Sequence, residues 1–166
     1  MTDDPKYCNE DVAKKVLYEF AMFTFLCDKL KCEYWESNNF APGDITYLGT
    51  GWDANEDRRT QFALLESLLI HTRILRDFFY KPATHDDIVA SHFVPDWSSL
   101  RPPQNEYLSV RRDRFDKAIA HLSLKRIEYE SNEKKWNLDA IRDSIEKPMK
   151  KFLETLSPDR VSWFKT

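Results

Sequence analysis

The chain has 166 residues, 42% of them hydrophobic, with eleven Phe, seven Tyr and five Trp; this is enough for a packed core and excludes a disordered segment. A formal net charge of −3 and a pI near 5.8 exclude indiscriminate binding to nucleic acid. Only three Gly are present, all between Gly43 and Gly51, which leaves two long stretches free of the commonest helix breaker and favours an all-α fold.

The charge is unevenly spread. Residues 1–60 hold seven Lys/Arg against twelve Asp/Glu (7 − 12 = −5), whereas residues 101–126 hold seven Lys/Arg against three acids (7 − 3 = +4). A basic stripe on an acidic protein suits a phosphate or the acidic part of a partner. Cys8, Cys27 and Cys32 lack CxxC spacing and are odd in number, so they read as reduced thiols in a cytoplasmic protein, neither zinc ligands nor a disulfide framework. No signal peptide is expected from the acidic start MTDDPKYCNED, and no apolar run approaches the roughly 18–20 residues of a membrane span.

In chain order, the first helix is predicted from Asp11, capped by Asn9 or Asp11, to about Cys32, with Val16, Phe20, Phe23, Cys27 and Leu30 on its buried face. Residues 38–55 carry every glycine and Pro42 and read as a long ordered loop; Gly49-Thr50-Gly51 lacks the spacing and the preceding strand of a phosphate loop. A strong second helix follows from Asp57 to Phe79, ended by Lys81-Pro82, with Phe62, Leu65, Leu68, Leu69, Leu75 and Phe78 as its apolar surface. Asp86-Asp87 is expected to cap a short helix from Ile88 to Phe93, after which Trp97 and Leu100 pack back onto the bundle. The third long helix is predicted from Gln104 or Ser109 to Tyr129. Asn137 caps the last one, whose stripe is Leu138, Ile141, Ile145, Met149, Phe152 and Leu156; Pro148 should kink or split it, and Pro158 marks its end. The expectation is a single domain over residues 1–166: an up-and-down bundle of four main helices plus a short one, with the long loop after the first.

Two constellations can carry chemistry. Arg114 and His121 lie seven residues apart, near two turns of roughly 3.6 residues each, and so share a helix face. Lys117 precedes His121 by one turn and Lys125-Arg126 follows it, so the positive field extends along the helix. A guanidinium beside an imidazole is a phosphate clamp with a proton-transfer group attached; the plainer reading is a solvated basic face. On the second helix Glu66, Arg73 and Asp77 also share a face. They read either as an Arg73–Asp77 ion pair with Glu66 reaching another helix, or as the face that opposes and orients Arg114 and His121. His85 and His92 beside Asp86-Asp87 are explained by capping and loop packing more readily than by a metal. No Glu precedes a His by three residues, which excludes a ferritin-like di-iron site. Trp52, Trp97, Tyr107 and Trp136 can stack bases but more often serve a core or interface.

The run Arg114-Phe115-Asp116-Lys117-Ala118-Ile119-Ala120-His121 satisfies an Arg, four to six residues, then His pattern. With ESLLIHTRILRDFFY and the later AHLSLKR before Trp136, the chain resembles the HEPN superfamily, in its abortive-infection branch, over roughly Thr60 to Leu156. The resemblance implies a small helical, often homodimeric protein that binds RNA or cleaves it without metal or other cofactor, in a toxin–antitoxin or phage-defence system with an antitoxin or other protein as partner. It implies that Arg114 and His121 are catalytic and that Glu66, Arg73 and Asp77 support or orient them. The basic residues Arg111, Lys117, Lys125 and Arg126 would then hold RNA. The first alternative is a non-catalytic helical interaction module that docks through the basic stripe; the second is a small-molecule sensor with an apolar pocket.

Overall fold

The computed structural model describes residues 5–31, 44–46, 56–84, 86–110 and 135–165, and these are mostly helical. Helix α1 spans Glu10–Leu30 and starts where Asn9 turns extended and accepts the Val12 N–H at 2.9 Å, satisfying one of the orphan donors of the first turn. Glu10 and Asp11 at its start and Lys29 at its end complement the helix dipole. Strand β1 is Asp44–Thr46. Helix α2 runs Glu56–Tyr80, and a 3-10 turn at Ala90–His92 follows. The short helices α3, Trp97–Leu100, and α4, Glu106–Val110, come next. Strand β2, Lys135–Asn137, leads directly into α5, Leu138–Thr155. A last turn of helix, α6 at Pro158–Val161, passes into a 3-10 turn at Ser162–Phe164.

α1 and α2 make the most extensive helix pairing, and α5 packs against both. Each contributes the apolar stripe that its 3.6-residue period places on one side: Val16, Phe23 and Leu30 from α1, Leu65, Leu68, Leu75 and Phe79 from α2, and Ile141, Ile145, Met149 and Phe152 from α5, all buried. Phe152 is the hub of the aromatic centre, with ring centroids 5.3 Å from Phe78, 5.7 Å from Trp97 and 5.2 Å from Phe164. Such edge-to-face pairs are more favourable than area burial alone predicts. Polar links fix the helices in register. His71 Nδ1 lies 2.6 Å from Glu19 Oε2, joining α2 to α1. Arg142 donates to Asp28 and Glu146, both at 2.7 Å, joining α5 to α1.

Several sequence expectations change. Asp44–Thr46, expected within a loop, pairs antiparallel with Lys135–Asn137, so that Ile45 faces Trp136; the fold therefore carries a two-stranded ladder beside its helices. α5 passes through Pro148 as one helix and is not split. The ring removes one N–H from the ladder, but Pro148 is buried with its neighbour Met149, and packing holds the turn together. Pro158 opens α6 at its first turn, where a missing N–H costs nothing. Asp86-Asp87 do not cap a helix: the segment forms only the 3-10 turn, whose N-cap is Val89, and Asp87 instead accepts from Thr84 and Lys81. Trp97 packs inward as expected, while Leu100 is exposed. The expected third helix beyond Val110 and the rest of the 38–55 loop lie outside the described residues, as do Cys32, Trp52 and His85.

Candidate functional site

The C-terminal end of α2 is where charge concentrates. α2 must stop at Lys81-Pro82, which leaves its last carbonyls without helical donors. Two side chains from the following segment supply them. Trp97 Nε1 donates to Phe79 O at 2.8 Å, and Arg101 Nη1 donates to Phe79 O at 3.3 Å and to Tyr80 O at 3.1 Å. The Arg101 guanidinium also stands over the Tyr80 ring, 5.3 Å from its centroid. A cation on the negative pole of the helix is favourable twice over, as a hydrogen-bond donor and as a charge.

Beside this cap lies a cleft of about 300 Å³ lined by Arg73, Arg76, Asp77, Tyr80, Lys81, Pro82 and Gln104. Among the described side chains of α2, Arg76 is the buried charge, only 4% exposed. It occupies a core position of the helix, and its guanidinium turns back to Asp77, with Nε at 3.0 Å and Nη2 at 2.8 Å from Oδ1. A buried guanidinium demands a carboxylate of this kind, because an ion removed from water without pairing is costly. Lys81 reaches outward to Asp87 at 2.7 Å. The Lys81 ammonium, and then the Thr84 hydroxyl, hold the Asp87 carboxyl below its ordinary value of 3.8. Burial raises the Tyr80 phenol above its ordinary range, with Arg101 acting against that shift.

The structure brings two of the expected orienting residues together in this cleft, Arg73 and Asp77, and leaves Glu66 apart. Glu66 stands seven residues up the helix from Arg73, roughly 10 Å along its axis. It does not line the cleft, and desolvation raises its carboxyl above the usual range. The contact formed by Asp77 within α2 is with Arg76, a residue that face-counting from Glu66, Arg73 and Asp77 passed over. A charged residue at a core position next to an acid was the available signal. Lys81, Gln104 and the Arg101 cap come from beyond the helix, and nothing local in the sequence announces them. Arg111, Arg114, Lys117, His121, Lys125 and Arg126 all lie outside the described residues.

The other candidates have structural roles. His71 is held by Glu19, and the His92 ring stacks on Tyr7 at 4.8 Å and accepts the Val89 N–H at 3.3 Å. Trp97 and Trp136 are both 2% exposed and belong to the core. The Tyr107 hydroxyl accepts the Asn137 N–H at 2.7 Å. Among the described residues no group of three or more His, Cys, Asp or Glu is placed to hold a metal ion, and no helix is long and apolar enough to cross a membrane. The described lining of the cleft combines guanidinium and ammonium groups with carboxylates that already hold them, Asp77 on Arg76 and Asp87 on Lys81; among its described lining residues there is no imidazole or thiol to move a proton at neutral pH. No family model matches the chain, and no match is found among curated proteins or among solved structures.

Proposed function

We propose that this protein is a HEPN-like RNA-binding protein or metal-independent endoribonuclease, working as a homodimer in the cytoplasm within a toxin–antitoxin or phage-defence system. The observation that supports the reading is the cationic cleft at the end of α2, where Arg73 and Asp77 stand with Arg76 and Lys81. The mostly helical structure agrees with a bundle, and the Arg114…His121 pattern supplies a proton-transfer group not found among the described lining residues of the cleft. In this reading an RNA 2′-hydroxyl attacks the adjacent phosphorus and the 5′-oxygen of the next nucleotide leaves, giving a 2′,3′-cyclic phosphate and a free 5′-hydroxyl. His121 moves the protons, and Arg114 stabilises the charge that develops on the phosphorane oxygens.

The test is incubation of the full-length protein with total and transfer RNA in EDTA, beside His121→Ala and Arg114→Ala. Cleavage that persists in EDTA and falls by at least ~100-fold in His121→Ala, the loss typical of a missing general acid or base, is the expected result. Equal cleavage by wild type and His121→Ala removes His121 from the mechanism. A second reading, a non-catalytic interaction module, is favoured by the large apolar side chains exposed on α1 and α2, Tyr18, Phe25, Ile70 and Ile74. It predicts no RNA turnover and association with an acidic partner protein that weakens with salt.

A further inference from the structure

We infer that the outward face of α1 is a surface through which two copies of this chain pair, α1 packing antiparallel on α1 of the second copy about a twofold axis at Ala21. Asp11, Lys14, Tyr18, Ala21, Phe25 and Asp28 recur at steps of three and four residues and so form one stripe along the helix. All six are exposed, while the opposite stripe, with Val16, Phe23 and Leu30, lies in the core. The outward side of an amphipathic helix ordinarily carries charged and polar groups. This one also presents two large rings about half exposed, Tyr18 at 56% and Phe25 at 49%. Ile70 and Ile74 of α2 are exposed as well, and lie within one turn of His71, whose ring meets Tyr18 edge-on at 6.3 Å. The apolar surface therefore continues from α1 onto its neighbour, as at a contact face.

The order of residues along the stripe selects the occupant. A twofold axis at Ala21 sets each residue opposite the one equally far along the helix on the other side. Lys14 then faces Asp28 of the second copy, Tyr18 lies beside its Phe25, and Ala21 meets Ala21. Symmetry makes the ion pair and the aromatic pair twice each. A small side chain at the axis lets the helices approach to the short end of the roughly 8–10 Å spacing of packed helices, which brings the rings into contact. A parallel pairing in register would set Lys14 on Lys14 and Asp28 on Asp28, and like charges oppose it. The stripe is thus self-complementary, the property that a contact between identical copies requires. Within the chain, Lys14 holds Glu10 at 2.8 Å and Asp28 accepts from Arg142 at 2.7 Å. Those pairs are kept: an ammonium has three donors and a carboxylate about four lone-pair sites. The contact joins them into a row of alternating sign, Glu10, Lys14, Asp28 and Arg142. Charges of this kind set register and orientation, and the rings supply the affinity.

The inference rests on the homodimer of the proposed function and not on cleavage of RNA, so its test reads mass alone. Sedimentation equilibrium of the full-length protein is run over a concentration series at low salt, where surface charges act most strongly. A monomer–dimer equilibrium is expected for the wild type. Ala21→Glu puts two carboxylates at the axis; the position is exposed and Glu suits a helix, so the circular dichroism spectrum should not change. Its dissociation constant is expected to rise at least ~10-fold. Lys14→Glu and Asp28→Lys each set like charges against one another twice and should also dissociate. Mixing these two variants restores the dimer, because each presents to the other the sign that its own copy lacks. Loss of the Glu10 or Arg142 pair inside one chain would not be repaired by mixing. Lys151→Glu, at an exposed position of α5, should dimerise as wild type. A monomer at every concentration overturns this inference together with the homodimer. A dimer that Ala21→Glu leaves intact overturns this inference alone and assigns the dimer to another face. Variants that dissociate and do not recover on mixing overturn the antiparallel pairing.

Discussion

At the scale of single residues, the end of α2 shows how one charge recruits the next. Arg76 sits on the buried side of the helix and needs Asp77; Lys81 ends the helix and needs Asp87. The two acids differ in kind. Asp77 serves a guanidinium that is 95% buried, its side chain only 5% exposed, whereas Asp87 serves an ammonium at the surface. The second link is open to a pH test. The Asp87 carboxyl is held below 3.8 first by Lys81 and then by Thr84. A group whose folded pKa is depressed stabilises the fold fully above its unfolded value and loses that contribution as pH falls through the folded value. Asp87→Asn is therefore expected to lower Tm slightly at neutral pH, by an amount that is fully present above the ordinary carboxylate range and closes as pH falls below it and the wild-type carboxylate is protonated. Thermal unfolding of the two proteins side by side measures it; a gap still fully present at the acid end would show that the ionised carboxylate is not what stabilises this turn.

At the scale of elements, caps and periodicity account for most of what could be read in advance. α1, α2 and α5 fall close to the predicted spans because their apolar residues repeat every three or four positions and because Asn9 and Asn137 mark two of the starts. The ladder between Asp44–Thr46 and Lys135–Asn137 was not legible: three residues are too few for an alternating pattern, and the partners lie about ninety positions apart. The 3-10 turn at Ala90–His92 reads as a helix in sequence for a related reason, since Asp86-Asp87 resembles a cap until Lys81 claims Asp87. Arg76 escapes a face counted from Glu66, Arg73 and Asp77 because it lies to one side of that line, towards the core, and reaches Asp77 from there. Asn137 joins three elements at one residue. Its side chain accepts the Ala140 N–H at 2.8 Å to begin α5, its own N–H reaches Tyr107 of α4, and its backbone closes the ladder opposite Asp44. Asn137→Ala deletes only the first of these. Loss of about 1 kcal/mol in urea unfolding is expected, as for other N-cap deletions. A loss above about 2 kcal/mol would mean that the ladder or the Tyr107 contact fails with the cap.

At the scale of the whole molecule, the cleft depends on a core assembled from distant parts of the chain. Phe78 and Phe79 end α2, Phe93 follows the 3-10 turn, Trp97 opens α3, Phe152 belongs to α5 and Phe164 to the final turn, and their rings converge on Phe152. The same segment that buries Trp97 against Phe152 directs its Nε1 to Phe79 O, and Arg101 follows one turn later to complete the cap. Arg160 adds a tie at the far end, donating from Nη1 to Phe93 O at 2.6 Å. Core packing and site geometry are thus one construction: the ring that fills the centre also sets the position of the cation beside the cleft. Phe152→Ala is expected to cost 3–5 kcal/mol, about the usual range for truncating a fully buried aromatic whose neighbours cannot all collapse inward. Phe152→Leu keeps most of the volume and should cost about half as much. Urea unfolding of the three proteins gives these values.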